Sequence, residues 1–470
     1  MELAATRRVH VVHHLRPAPH LTRLAEGKMD VMEAIATTDG QVWDVFWRSN
    51  RRLAWLGQRN ISSKTSPQLP LLTAYYLPTS RIHVPYLDAN FTLLTNCRYC
   101  LNGQLVDDHL VISEETGRIL YRTGYIGGDI CDLEGHIVAP GFLELQTYGA
   151  NGFRFTDFEN QQNYDQKLQS TAEYYLTQGV TGFWATIPTV APDTFQQILP
   201  SLNPKAHPSF QGATVLGAHA YNPDLRQTPI LVGPSPPPSL KHLTLSPSAS
   251  TTPLIPSLRN ASLTVSLAPQ SEGSGSVKES AFLTGISALA AGATGLSASS
   301  MPTMNWRAGG DDSLVGLVTI PPSSDQQPPF YGLVADGAHV SPSTAALLFR
   351  ANQSRAMLVS SADPASASSS SSSTISLAQS VRNLMAWTGC SVAEAVRCCT
   401  ENVAAFMGVD GFEVPGMPPA LGSAASGKGG PGVGVLKQGR RADLVVLSDE
   451  GEVLQTWIAG RKVWEREGGL

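Results

Sequence analysis

A chain of 470 residues with a formal net charge of −5 is too long for one small core, and its charge gives no electrostatic argument for nucleic acid or an anionic membrane as a partner. No apolar run approaches the ~18 residues a bilayer span needs, so the sequence reads as that of a soluble protein without a membrane partner. The six cysteines, Cys97, Cys100, Cys131, Cys390, Cys398 and Cys399, are too sparse for a secreted disulfide framework. Cys97-Arg-Tyr-Cys100 has redox or zinc spacing but no second pair, and both are read as strand cysteines.

Residues 1–85 carry no motif and are expected to be an extension of unassigned role. Arg7, Arg8, Arg16 and Arg23 weakly suggest an organellar presequence, against which stand Glu2, Glu26 and the lack of an amphipathic repeat. A cytoplasmic location is the plain expectation. Trp43, Trp47 and Trp55 are expected to pack locally or onto the main body.

Between Phe91 and Ile137 the pattern is of short strands, at Phe91–Thr95, His109–Ser113, Ile119–Arg122 and Ile130–Leu133. They are separated by Asn102-Gly103, Gly117 and Gly127-Gly128, which is turn chemistry. At the other end Val433–Leu436, Ala442–Leu447, Val453–Ile458 and Gly460–Trp464 also read as strands. The two β-rich ends, 86–138 and 433–470, are expected to meet in one small β-sandwich.

Val138–Phe153 separates this pattern from the next. Pro140 and Gly141 break the chain, and Leu143 to Gln146 then alternates apolar with polar like a strand leaving a turn. From 139 to 415 strand and helix candidates alternate: a helix over Gln166–Gln178, a strand over Val180–Ile187, a helix over Pro192–Leu199, and strands over Thr214–Ala220 and Leu263–Leu267. A helix over Glu279–Ala291, strands over Gly332–Val334 and Met357–Val359, and helices over Ser343–Ala351, Leu377–Trp387 and Val392–Met407 complete the series. This is an α/β fold, expected to be a (β/α)8 TIM-like barrel with Gln146 at the C-terminal end of its first strand, where such barrels carry their sites. Pro229–Pro256, the nearly poly-serine run Ser366–Ser376 and Pro415–Gly434 break the alternation. They are expected to be irregular, the last as a flexible insertion over 416–432.

Ala139-Pro-Gly-Phe142, Leu145-Gln146, Gly179-Val-Thr-Gly-Phe183, Ala335-Asp-Gly337 with His339, and above all Gly439-Arg-Arg-Ala-Asp-Leu-Val-Val-Leu447 carry a resemblance. From about Phe91 to Trp464 the chain resembles the N-acetylglucosamine-6-phosphate deacetylases of the amidohydrolase superfamily. The resemblance implies a metal-dependent amide hydrolase of amino-sugar catabolism, releasing acetate and glucosamine 6-phosphate, a divalent metal such as zinc, and a homodimer. It also implies substrate contacts from Gln146, His339 and Arg307. Arg307 could equally pair with Asp311 or Asp312, and His339 could be a structural partner of Asp336.

At the positions the resemblance assigns to metal ligands this chain has Tyr221, Val277, and Gly295 or Leu296. At the position of the acid/base aspartate it has Ser361, with Asp363 two residues further on as a possible displaced substitute. Beyond Val138 the only histidines are His207, His219, His242 and His339. His219 is read as a structural strand-end residue and His207 and His242 as loop residues. The metal is therefore expected to be absent or weakly held. The readings that remain are a deacetylase, a catalytically silent relative that binds a sugar phosphate or pairs with another subunit, and a chain encoded in part by a faultily assembled gene.

Overall fold

The computed structural model describes residues 31–38, 41–48, 55–59, 90–120, 128–205, 211–221, 236–269, 280–300, 313–323, 327–364, 375–411 and 432–468. Two compact units divide the chain, 1–89 with 122–127, and the remainder. In the first, β1 (Val31–Thr38), β2 (Gln41–Arg48) and β3 (Trp55–Arg59) form an antiparallel meander, in a segment where the sequence shows no motif.

The second unit opens with β4 (Phe91–Thr95), β5 (Arg98–Leu101), β6 (Gln104–Asp107), β7 (Leu110–Ser113), β8 (Asp129–Asp132) and β9 (Ile137–Pro140). It then builds a barrel from β10 (Phe142–Thr147), followed by a small hairpin of β11 (Gly149–Ala150) and β12 (Phe153–Arg154). The remaining barrel strands are β13 (Val180–Ile187), β14 (Thr214–Tyr221), β15 (Leu240–Leu245), β16 (Thr264–Leu267), β17 (Gly295–Leu296), β18 (Phe330–Leu333) and β19 (Ala356–Leu358). The chain ends in β20 (Leu444–Leu447), β21 (Val453–Ile458) and β22 (Arg461–Glu465).

Eight parallel strands run in the order β10-β13-β14-β15-β16-β17-β18-β19. The sheet closes on itself beyond β19, where Ser361 N–H donates to Gln146 O at 2.9 Å and Tyr148 N–H to Ala362 O at 2.8 Å. Strand alternation sorts the side chains into two layers. Leu143, Leu145, Trp184, Leu216, Met357 and Val359 form an inner cluster. Phe183, Val215, Leu243, Val265 and Tyr331 face outward into the larger cluster shared with the helices. This is the expected α/β class with a TIM-like barrel.

A six-stranded sheet, β22-β21-β20-β9-β5-β6, joins the two ends of the chain and packs against the three-stranded sheet β7-β4-β8. Leu94, Leu110 and Ile112 of the smaller sheet and Tyr99, Val138, Leu444 and Trp457 of the larger fill one core. The anticipated hairpin turn at Asn102-Gly103 joins β5 to β6, both residues adopting positive φ.

Three expectations need correction. Leu240–Leu245, inside the Pro/Ser/Thr-rich stretch, is a barrel strand, so His242 lies in the barrel wall rather than in a loop. With almost every residue of it buried, it shows no polar alternation, and the flanking prolines dominate the local composition. The helix expected over Val392–Met407 is two, Val392–Arg397 and Glu401–Met407, although its Ser391/Glu394 capping box forms. Val433–Leu436 is buried but not a strand: Gly434 has φ +78, and a Cβ there would meet Leu143 and Ala404 within 3 Å.

A buried ion pair is one of the contacts by which the sandwich holds the barrel. Arg441 Nε lies 2.8 Å from Asp443 Oδ1, with side chains 2% and 1% exposed. Arg441 Nη2 donates to Thr214 Oγ1 at the start of β14 at 2.9 Å, and Ala459 N–H donates to Asp443 Oδ1 at 2.8 Å. Gly141 N–H, at the start of β10, donates to the Asp443 carbonyl at 2.9 Å. Burial raises the Asp443 carboxyl despite the opposing pull of Arg441. Arg441→Leu should therefore cost about 3–5 kcal/mol by leaving a buried carboxylate without its partner. In urea unfolding, the double change R441L/D443N should recover part of that loss.

Candidate ligand site at the barrel mouth

The C-terminal ends of β10, β14, β17 and β19 bring together side chains without formal charge. Tyr221 OH donates to Ser299 Oγ at 2.6 Å, Ser299 Oγ to Ser297 Oγ at 3.3 Å, and Ser297 Oγ to Gln146 Oε1 at 3.3 Å. Gln146 Nε2 then points to Ser361 Oγ at 3.5 Å. All donors run in one direction, so the bonds polarise one another and fix the Gln146 amide with its oxygen toward Ser297. Tyr148 meets Tyr221 edge-on at 6.1 Å between centroids, and burial pushes its hydroxyl further from ionising.

Tyr221 thus lies at the mouth, committed to a serine. Gly295 has no room for a larger residue, because a Cβ there would lie 2.6 Å from the Phe406 ring and 2.9 Å from Ser266 Oγ. Leu296 faces the outer cluster. Ser361 sits on the seam that closes the barrel, at φ +49. Asp363 lies against the edge of the Arg154 guanidinium, with Nη2 donating to Oδ2 at 3.0 Å and Nε 3.0 Å from Oδ1 as an ion-pair contact. His339 is tied through Nδ1 to Asp336 Oδ2 at 2.6 Å, and no described hydrogen bond joins it to the Gln146 chain. Burial opposes the Asp336 charge, but the His339 side chain and the N–H groups of His339 and Ala338 hold its carboxyl below the usual range. Val277 and Arg307 lie outside the described residues.

Among the described residues no three His, Cys, Asp or Glu side chains converge where a metal could bind. A divalent metal such as zinc needs about three imidazole, thiolate or carboxylate donors. A phenol, three serine hydroxyls and an amide do not fit that requirement.

Sequence reasoning missed three buried titratable groups below the mouth. His219 of β14 bonds through Nδ1 to Thr186 Oγ1 at 3.1 Å and through Nε2 to Thr244 Oγ1 at 2.7 Å. Thr186 Oγ1 also accepts from Thr147 N–H at 3.1 Å, which ties this histidine to the first barrel strand. Both ring nitrogens are bonded, which fits the structural strand residue its sequence context suggests. His242 stacks on it with centroids 3.8 Å apart and bonds to Ser266 Oγ at 2.8 Å. Glu144 accepts from the N–H groups of Gln146 and Ser360. The alternation Leu143-Glu144-Leu145-Gln146 was the available signal for Glu144. For His242 it was the Leu240-x-His-Leu-x-Leu245 run.

No family model matches the chain. It is 26% identical over 425 residues to the N-acetylglucosamine-6-phosphate deacetylase of Caenorhabditis elegans, spanning 78% of this chain and 93% of that protein. The Mus musculus deacetylase is also 26% identical over 425 residues, spanning 79% and 95%. Among solved structures, the Pasteurella multocida deacetylase superposes with a TM-score of 0.60 at 18% identity over 80% of this chain and 100% of that one. A Mycobacterium smegmatis deacetylase in complex with N-acetyl-D-glucosamine-6-phosphate gives 0.58 at 19%, over 80% and 99%. The chain is thus similar in sequence to N-acetylglucosamine-6-phosphate deacetylases and shares the fold of the solved ones.

The buried groups give a pH dependence. Desolvation, and for His219 also its neighbour His242, push both imidazoles down, His242 to about 3, while burial pushes Glu144 up to about 7. Below about 6.5 the unfolded chain takes up protons that the folded imidazoles refuse, so stability falls as pH falls. For Glu144 the sign is opposite: the folded form keeps a proton that the unfolded chain loses above about 4.5, so stability falls as pH rises from there through about 7. The two effects oppose each other between these limits. Glu144→Gln should therefore steepen the loss of stability from pH 6.5 to 4.5 by up to about 1.4 kcal/mol per pH unit, measured as the urea midpoint across that range.

Proposed function

We propose that this relative of the N-acetylglucosamine-6-phosphate deacetylases binds an N-acetylamino-sugar phosphate at the barrel mouth and does not hydrolyse it by the metal-assisted route. The observation that carries this reading is the one-way chain from Tyr221 through Ser299 and Ser297 to Gln146, which fills the strand ends with hydroxyl and amide groups. Such groups complement sugar hydroxyls and an acetamide.

Amide hydrolysis near neutral pH needs an activated water and a group that can take its proton and pass it to the departing amine. A serine hydroxyl at Ser361 is too weakly acidic for that exchange, and the Asp363 carboxylate is engaged by Arg154. His339, oriented by Asp336 and partly exposed, is the side chain proposed to meet the ligand from the loop after β18. Arg307, outside the described residues, is proposed as a further phosphate contact. A homodimer is retained as part of the proposal on the strength of the family resemblance.

The test is a thermal shift with N-acetylglucosamine 6-phosphate alongside an acetate assay with zinc supplied. The ligand should raise Tm, with about 2.7 kcal/mol of stabilisation at a hundred times Kd, and acetate release should not exceed the buffer rate. Tyr221→Phe, which removes the first donor of the chain, should weaken binding by about 1 kcal/mol. Zinc-dependent acetate release would instead establish a deacetylase.

A further inference from the structure

We propose that Arg154 is an anion-recognition residue of the barrel mouth, taking the phosphate of the ligand in exchange for Asp363, which fills its guanidinium fork. This rests on the sugar-phosphate reading above and gives the phosphate a contact among the described residues.

The placement of Arg154 is rigid. It ends the β11–β12 hairpin, whose two-residue turn, Asn151-Gly152, has φ +51 and +76, the primed-turn geometry that Asn-Gly favours. The preceding Phe153 packs edge-on against Phe155 and Tyr164, with centroids 5.9 and 5.2 Å apart, and Tyr164 OH donates to Phe155 O at 2.9 Å. The hairpin begins two residues after Thr147, so the guanidinium is carried at the same rim as Gln146.

Asp363 reaches it from the other side of the closing seam. It follows Ser361 by two residues, and the intervening Ala362 carbonyl accepts from Tyr148 N–H at 2.8 Å. The pair is therefore next to the hydroxyl chain, with side chains 35% and 21% exposed. In a part-buried ion pair the Coulomb gain is offset by desolvation, so its net contribution to stability is modest. A guanidinium fork accepts carboxylate and phosphate with the same planar geometry, and a phosphate monoester offers more charge and more oxygens than one carboxylate. Asp363 thus acts as an internal competitor that a phosphate can replace.

The test compares wild type, Asp363→Asn and the double variant R154Q/D363N by isothermal titration with inorganic phosphate, N-acetylglucosamine 6-phosphate and N-acetylglucosamine. Circular dichroism establishes that all three are folded. D363N should tighten both phosphates by about tenfold and leave N-acetylglucosamine unchanged. R154Q/D363N loses the same ion pair but has no guanidinium, and should bind both phosphates no better than wild type. Equal phosphate affinity in D363N and wild type, or a gain that persists in the double variant, would overturn the assignment to Arg154. Tightening toward inorganic phosphate with no binding of the sugar phosphate would uphold the anion site while refuting the sugar-phosphate reading.

Discussion

The molecule depends on how the first barrel strand enters. Gly141 N–H bonds to the Asp443 carbonyl, the Asp443 side chain is fixed by Arg441 and Ala459 N–H, and Arg441 reaches across to Thr214. One buried ion pair thereby sets the starting ends of β10 and β14. What starts at a fixed point ends at one, and the far ends of these two strands carry Gln146 and Tyr221. The sandwich therefore does more than cover its own core, because it fixes the register of the strands that build the mouth.

At those strand ends this chain keeps the scaffold of its relatives and presents groups that suit hydroxyl recognition. The side chains interlock. Phe406 occupies the space a residue larger than glycine would need at 295 and packs on His242, which stacks on His219, which is held between Thr186 and Thr244. Placing a larger side chain at 295 would require the Phe406 ring to move. Likeness of fold does not carry chemistry by itself, and here the donors at the mouth decide the reading.

The barrel is legible because β10 alternates apolar with polar after a Pro-Gly break and β13, β14 and β16 are largely apolar runs, and the closing strands because Gly439–Leu447 is so distinctive. β15 is masked by the prolines and serines that flank it. The break between the helices ending at Arg397 and starting at Glu401 contains no Pro or Gly, so nothing local announced it. At the site, the position of Gln146 followed from strand order alone, and the partnership of His339 with Asp336 from a three-residue spacing. Arg154 and Asp363 are 209 residues apart, and only the closure of the barrel brings them together. The burial that shifts Glu144, His219 and His242 likewise belongs to the assembled fold, since each sits in a strand whose neighbours come from elsewhere in the chain.

In the proposed function the mouth recognises its ligand through hydroxyl, amide and guanidinium groups rather than through a metal. Calorimetric titration of the full chain with N-acetylglucosamine 6-phosphate, once in excess chelator and once with zinc present, tests this directly. One Kd is expected for both conditions. Binding that disappears in chelator and returns with zinc would contradict it.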